Sequence, residues 1–394
     1  MLAVEKAVAR LCSQARAVRT IESVSVNGSL GRVTAESVRA SVDVPPADNS
    51  AMDGYAFCFQ DAAEHDFSLP VRQRIPAGIA PETLVKNTAA RIFTGAELPK
   101  GANTVVAQEV CTEENSVVTV HAPVTPKQHV RSRGQDISQG DVIVKQGTCI
   151  KPEHMGLLSS VGLRRLSVYR RLRVAIFSTG DELVDPGKKL QRGQIYNSNL
   201  SLLMGAISSL GMEPIDMGSV PDDIEATSEA LQNASDSADV IISAGGISVG
   251  EEDHVRHAVE QLGEVDFWRV AIKPGKPLAF GRVADIPFIG LPGNPASVFV
   301  TFVVLAKPFL LAAQGVESTE PVIAQARALF ERSGESREVY LRGNLTTAEG
   351  QVCVDIHPNQ SSGVLSSVTW GNVLVRQRAG EKIAHDDFVD VLPY

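Results

Sequence analysis

Four short polar segments each follow an apolar, strand-like run: Ser178-Thr-Gly-Asp-Glu182, Ser243-Ala-Gly-Gly-Ile-Ser-Val-Gly-Glu-Glu-Asp253, Lys273-Pro-Gly-Lys-Pro277 and Leu291-Pro-Gly-Asn-Pro295. This repeated order restricts the middle of the chain more than any other feature. In a doubly wound α/β sheet, ligands bind outside the carboxyl ends of the strands. Glycines let the backbone approach phosphate oxygens, and a helix N-terminus beyond the loop favours an anion. The carboxylates of Asp181, Glu182, Glu251, Glu252 and Asp253 in these segments would repel a bare phosphate. The pattern therefore predicts phosphate held together with a divalent cation, which takes hard oxygen ligands.

The flanking chain has a different texture. Val4, Ala7, Val8, Leu11 and Cys12 recur at helical spacing near the start. From about 44 to 140 the chain is rich in Val, Thr, Pro and Gly, with strand-like pieces at 90–93, 103–107 and 116–120, so a β-rich module is expected. Strand at 141–144 and a Pro-initiated helix at 152–162 follow. From Arg173, buried strands at 173–177 and 238–242 alternate with helical faces. One such face runs Leu200, Leu203, Met204, Ile207, Leu210, with Gly211 as its cap, and another runs Val255, Ala258, Val259, Leu262. Strands near 266–272 and 287–291 and an apolar helix from Ala296 to about Ala312 complete a mostly parallel sheet with helices on both faces. After about 318, alternation without helices at 338–342, 351–355, 372–376 and 388–392 predicts a small C-terminal β module.

A chain of 394 residues exceeds one ordinary core, and several domains are expected. A net charge of −9 argues against nucleic acid as a partner. Five scattered cysteines, without a CxxC pair, read as reduced thiols of a cytoplasmic protein. The opening segment lacks a signal-peptide core, and the longest apolar run, about 296–306, is too short to cross a bilayer, so no membrane partner is expected.

Each motif has two readings. Thr179 and Asp181 either cap a polar turn or face a ligand. Gly245, Gly246 and Gly250, interleaved with Ser243 and Ser248, suit a phosphate cradle with Asp253 at a helix start, although the spacing is neither the dinucleotide fingerprint nor the Walker loop. Lys273 and Lys276 offer point charges on a stiff turn, and Pro292 and Pro295 frame a rigid loop at a helix entry. Asp222 and Asp223 are as suited to capping as to ligation. Asp48-Asn-Ser-Ala-Met-Asp-Gly-Tyr55 and Arg131-Ser-Arg-Gly-Gln-Asp136 are polar-dense loops of the β-rich part. His254 and His257, three apart with no third nitrogen or sulfur nearby, read as a solvated helix face.

Taken together, seven strings in order resemble the molybdopterin molybdenumtransferase family, MoeA-type proteins similar to the C-terminal domain of gephyrin. They are PPADNSAMDGYA (45–56), RIFTGAELPKGANTVVAQE (91–109), RSRGQDIS (131–138), FSTGDEL (177–183), SAGGISVGEEDH (243–254), AIKPGKPLAFG (271–281) and GLPGNPAS (290–297). The resemblance implies insertion of molybdenum from molybdate into the dithiolene of adenylylated molybdopterin, with Mg²⁺-assisted release of AMP. Carried over by position, the reacting acids are Asp53, Asp136, Glu182, Asp222 and Asp253, with Glu182 and Asp253 as Mg²⁺ ligands. Thr94, Arg131, Lys273, Lys276, Pro292, Pro295 and Ser362 join Thr179, Gly245, Gly246 and Ser248 in binding substrate. It also implies four domains: an elongated one (1–44 with 141–171), a β-rich insert (45–140), the α/β domain (172–318) and a C-terminal β domain (319–394). A homodimer is implied, with the α/β cleft of one subunit facing the Asp48–Tyr55 segment of the other, and the molybdopterin adenylyltransferase is a further candidate partner. Arg269, Ala47, Gln135 and Ser361 depart from the family pattern, which leaves open a tungstate-preferring paralogue. An ATP-consuming adenylylating relative and a non-catalytic scaffold are the competing readings.

Overall fold

The structure is a computed structural model and describes residues 1–247, 254–348 and 350–394, with Trp268 described in its backbone only. Residues 248–253 of the glycine-rich segment named above, among them Ser248, Gly250, Glu251, Glu252 and Asp253, lie outside the described residues.

The central six-stranded sheet has the order Glu213–Val220, Arg173–Thr179, Val240–Ala244, Ile286–Leu291, Pro277–Val283, Gly263–Arg269. The first four strands run parallel, whereas Pro277–Val283 is antiparallel to both its neighbours. Strand residues alternate between two cores, as the pleat requires. Val174 and Ile176 join the cluster under helices Val4–Ser13, Ser198–Ser209 and the apolar helix beginning at Pro295. Ala175 and Phe177 join the opposite cluster under Ile224–Ser237 and His254–Leu262. The sheet is therefore doubly wound and mostly parallel, as the alternation of strand and helix predicts.

Two strands escape the sequence pattern. Glu213–Val220 is an edge strand interrupted by Pro214 and Gly218, with only Val220 fully buried, and edges tolerate both residues. Pro277–Val283 begins inside a motif that reads as a turn, yet Leu278 to Gly281 are buried. The helix expected near 296–312 runs from Pro295 to Gln314, through a widened π turn at Phe302–Ala306. Its 20 residues are long and apolar enough to cross a bilayer, so length does not exclude that role. Its most apolar window is 78% buried inside the protein, where it carries the core.

The β-rich region forms a six-stranded sheet ordered Thr104–Ala107, Gly54–Phe57, Ala89–Ile92, Ser68–Ile75, Val117–Val120, Cys111–Glu114. Small antiparallel pairs, Ile21–Ser25 with Arg165–Tyr169 and Val38–Arg39 with Val142–Val144, flank it in the chain. The C-terminal strands Glu338–Ala348, Gln351–Ile356, Ala324–Ala328, Phe388–Pro393 and Val373–Gln377 close on themselves through a pairing of the first with the last. Closure removes the free edges of a small sheet. Ile272–Lys273 adds to the outside of this barrel, beside Glu338 and Val339.

The first helix belongs by chain position with residues 14–44, yet Val4, Ala7 and Leu11 enter the central α/β core, and Leu2 bridges to Val270. Its single apolar stripe needs a partner face, and the helix ending at Gln314 supplies one. Leu11→Ala should therefore cost about 2–5 kcal/mol in chemical denaturation of the α/β core; a loss below about 0.5 kcal/mol would mean that the helix is only loosely docked.

Candidate active-site cleft

Parallel strands present their carboxyl ends along one edge, and an antiparallel strand presents its amino end there. This is how Lys273-Pro-Gly-Lys-Pro277, which precedes a strand, reaches the same edge as three segments that follow strands. A cleft of about 1200 Å³ opens along it, lined by residues of all four segments and by Arg337, Gln360, Ser361 and Ser362 from the barrel. Of the residues singled out by sequence, Thr179, Glu182, Asp222, Gly245, Gly246, Lys273, Lys276, Pro292, Pro295 and Ser362 all line it.

The floor is built by close backbone approach. Gly245 has φ +101°, and a Cβ there would lie 2.7 Å from the Thr179 carbonyl oxygen. Gly246 has φ +63°, and its Cβ would meet Thr179 Oγ1 at 2.5 Å. Only glycine fits both positions. The Gly245 N–H donates to the Leu291 carbonyl (3.1 Å), and the Ala296 N–H donates to the Ser362 carbonyl (3.0 Å), so the barrel loop sits on the amino end of the apolar helix.

Behind the floor lies a buried polar layer. Asn197 caps helix Ser198–Ser209 by accepting from Leu200 N–H, accepts from Ser178 Oγ and donates to Ser219 Oγ. Asn199 Nδ2 donates to the Gly293 carbonyl at 2.6 Å. Two buried atoms on the cleft wall, Thr179 Oγ1 and Asn199 Oδ1, have no hydrogen-bond partner among the described residues. Buried polar groups are rarely left unpaired, so an unpaired pair at a cleft wall marks where a polar ligand would bind.

The electrostatics divide the cleft. At one end, Asp223 accepts from the Glu225 and Ala226 N–H groups and caps its helix, which leaves Asp222 to face the cleft. The Asp222 N–H donates to Asp181 Oδ1 (3.1 Å). Partial burial and the neighbouring charges of Asp181 and Glu182 push the Asp222 carboxyl above its ordinary range. At the other end, Lys273, Lys276 and Arg337 are cationic. Lys276 has no ion-pair partner among the described residues, whereas Lys273 Nζ binds both oxygens of Glu335 at 2.8 and 2.7 Å.

Asp53, Thr94, Arg131 and Asp136 do not line this cleft. The first three share a patch of the β-rich region. Asp53 Oδ1 accepts from both the N–H and the hydroxyl of Thr94, each at 2.7 Å, and these bonds hold its carboxyl below the usual range. Strand Val130–Arg131 pairs with Asn49–Ser50, and the Asp136 N–H donates to the Val44 carbonyl. Sequence reasoning overlooked Asn197, Asn199 and Arg337. Asn197 followed by a helical apolar face is a capping signal that could have drawn attention to Ile195–Asn199, while nothing local marks Arg337.

The sheet, the glycine-lined cleft and the barrel beside it define a pterin-biosynthesis architecture, by the following comparisons. Family models match residues 2–162 (MoeA N-terminal region, domain I and II), 175–312 (probable molybdopterin binding domain) and 325–394 (MoeA C-terminal region, domain IV). The molybdopterin molybdenumtransferase of Haemophilus influenzae is 35% identical, with both chains fully covered. That of Nostoc sp. is 38% identical over 91% of this chain and 85% of its own. A solved MoeA structure from a Pyrococcus species superposes with a TM-score of 0.80 at 33% identity, covering 100% of this chain and 99% of the other. The chain belongs to the MoeA family of molybdopterin molybdenumtransferases.

Because the folded state raises the Asp222 carboxyl, ionised Asp222 lowers stability above its folded titration, and this penalty disappears below the unfolded value near pH 4. Asp222→Asn should therefore melt at a higher temperature than the parent at pH 7, with the gain shrinking as pH falls toward 4. A gain unchanged between the two pH values would mean that ionisation of Asp222 is not what costs stability.

Proposed function

We propose that this chain completes molybdenum cofactor synthesis by transferring molybdenum from molybdate to the dithiolene of adenylylated molybdopterin, with release of AMP. The observation that carries this reading is the cleft itself, with glycine backbone, Thr179 and Asn199 atoms that have no partner among the described residues, and the Lys276 cation at one sheet edge. Membership of the family supports the chemistry.

In this reading the floor at Gly245 and Gly246 lets main-chain atoms approach the pyrophosphate, and Lys276 and Arg337 attract the oxyanion. The positive end uses point charges, which suit phosphate and a tetrahedral dianion. No covalent nucleophile is needed. The acidic end suits a magnesium ion in its chemistry. Partial burial, and beside it the charges of Asp181 and Glu182, raise the Asp222 carboxyl, and a divalent cation would offset both. Among the described residues no three acids, histidines or cysteines form a ligand set on their own. A magnesium ion keeps several waters and takes one or two carboxylates plus substrate phosphates. Glu182 and Asp222 would hold it, with Asp253 as the remaining candidate, and the bound ion would neutralise charge on the phosphoanhydride as it is cleaved.

Asp53, Thr94, Arg131 and Asp136 enter this site only if a second copy of the chain supplies them. We assign them to that role, in a two-fold dimer with two equal composite clefts. The Thr94 bonds keep Asp53 anionic, ready to order the reacting end of the substrate. Delivery of the adenylylated substrate by the molybdopterin adenylyltransferase would place that enzyme as a transient partner.

The test is AMP release from adenylylated molybdopterin with Mg²⁺, titrated with molybdate or tungstate. Molybdate-dependent release lost in Asp53→Ala and in Lys276→Ala is the expected outcome. Preference for tungstate would keep the chemistry and change the metal; consumption of ATP with molybdopterin and no molybdate, releasing pyrophosphate, would instead indicate the adenylylating relative. No release by folded protein would favour a scaffold. Mixing the two inactive variants adds a check on the composite cleft: random re-pairing should restore about a quarter of the parent activity, and no recovery on verified subunit exchange would confine each site to one chain.

A further inference from the structure

The barrel strand that begins at Glu338 is preceded by a loop carrying Glu331, Arg332, Glu335 and Arg337. Pairing of Ile272–Lys273 with Glu338 and Val339, together with the bond from Arg337 Nη1 to the Ile272 carbonyl (2.9 Å), seats this loop against the cationic end of the cleft. There Glu335 straddles Lys273 through both oxygens and also accepts from Arg332 Nη2 at 2.9 Å. Arg332 is held in turn by Gln377, its Nε donating to Oε1 at 3.1 Å. Lys273 and Glu335 are both partly exposed, at 41% and 27% of their side chains, so the pair is not a sealed core ion pair, and Lys273 lines the cleft.

The cations lining this end are Lys273, Lys276 and Arg337, with Arg332 behind them on the barrel loop, and Glu335 bonds both Lys273 and Arg332. A carboxylate bound through both oxygens to an ammonium group occupies the same donors that a tetrahedral oxyanion would use. We propose that Glu335 is an affinity-determining residue for the oxyanion substrate: its carboxylate stands in for the anion on Lys273 and must yield Lys273 when molybdate or a like dianion binds. Arg332 acts as the alternative host, holding the displaced carboxylate away from Lys273. This rests on the reading that an oxyanion binds at this end of the cleft.

The competing role is a staple between barrel and α/β sheet, and the two roles predict different signs. Displacement predicts that Glu335→Gln, which keeps the shape and removes the charge, binds molybdate about three- to tenfold more tightly. It predicts that Arg332→Gln, which leaves Glu335 only Lys273 to bind, binds molybdate more weakly by a similar factor. A staple predicts weaker binding in both. The experiment is calorimetric titration of molybdate, with sulfate beside it, into the full chain and both variants at fixed ionic strength, with melting curves to verify folding. Opposite shifts for the two variants support the proposal. Weaker or unchanged binding in folded Glu335→Gln overturns it, as does tighter binding in both variants. Failure of the parent protein to bind any oxyanion would instead remove the oxyanion reading on which the proposal rests.

Discussion

The cleft depends on one directional constraint, the alignment of strand ends along a single sheet edge. Four parallel strands finish there and one antiparallel strand starts there. Because Pro277–Val283 runs opposite to Ile286–Leu291, the lysine-bearing turn before it lands beside the glycine and proline loops that follow their strands. A parallel strand at that place would have carried the two lysines to the far edge. The burial of Leu278, Phe280, Ile289 and Leu291 in one core, with Ala279, Val283 and Phe288 in the other, fixes the register of that reversal, since a one-residue slip would exchange the side chains of the two cores.

Charge is sorted along the same edge. Acids gather where strand Arg173–Thr179 ends, and cations gather where the barrel meets the turn at Lys273. The acidic end bears an internal cost, visible in the raised Asp222 carboxyl, and the cationic end is partly neutralised by Glu335. The barrel contributes more than a cap: its loop at Gln360–Ser362 forms a wall, and fully buried Arg342 supports that wall by donating to the Ser361 carbonyl at 3.0 Å and the Ser367 hydroxyl at 2.9 Å.

Much of this is legible in the sequence because the signals are local. Helical spacing of Leu200, Leu203 and Ile207, the glycines at 245 and 246 and the proline pair at 292 and 295 each reflect a constraint acting within a few residues. Glu213–Val220 was not legible, since an edge strand with Pro and Gly lacks a clean alternation. Asp222 and Asp223 look equivalent in sequence. Only the helix start at Ile224 separates them, giving the capping bonds to Asp223 and the cleft to Asp222. The membrane-length helix from Pro295 shows the converse: its composition alone suits a bilayer, and its packing against Leu11 and Phe280 places it in a protein core.

The sequence by itself determined the alternating strand and helix units, the glycine positions that permit backbone approach, the family membership and most of the side chains at the cleft. Tertiary structure alone decided that Lys273 is held by Glu335, 62 residues away, and that Arg337, Asn197 and Asn199 share its cleft. It also decided that Asp53, Thr94 and Arg131 form a separate patch. The physical reason is that backbone conformation and amphipathicity are set over a few residues, whereas ion pairing and cleft geometry depend on chain segments brought together only when sheets and cores close.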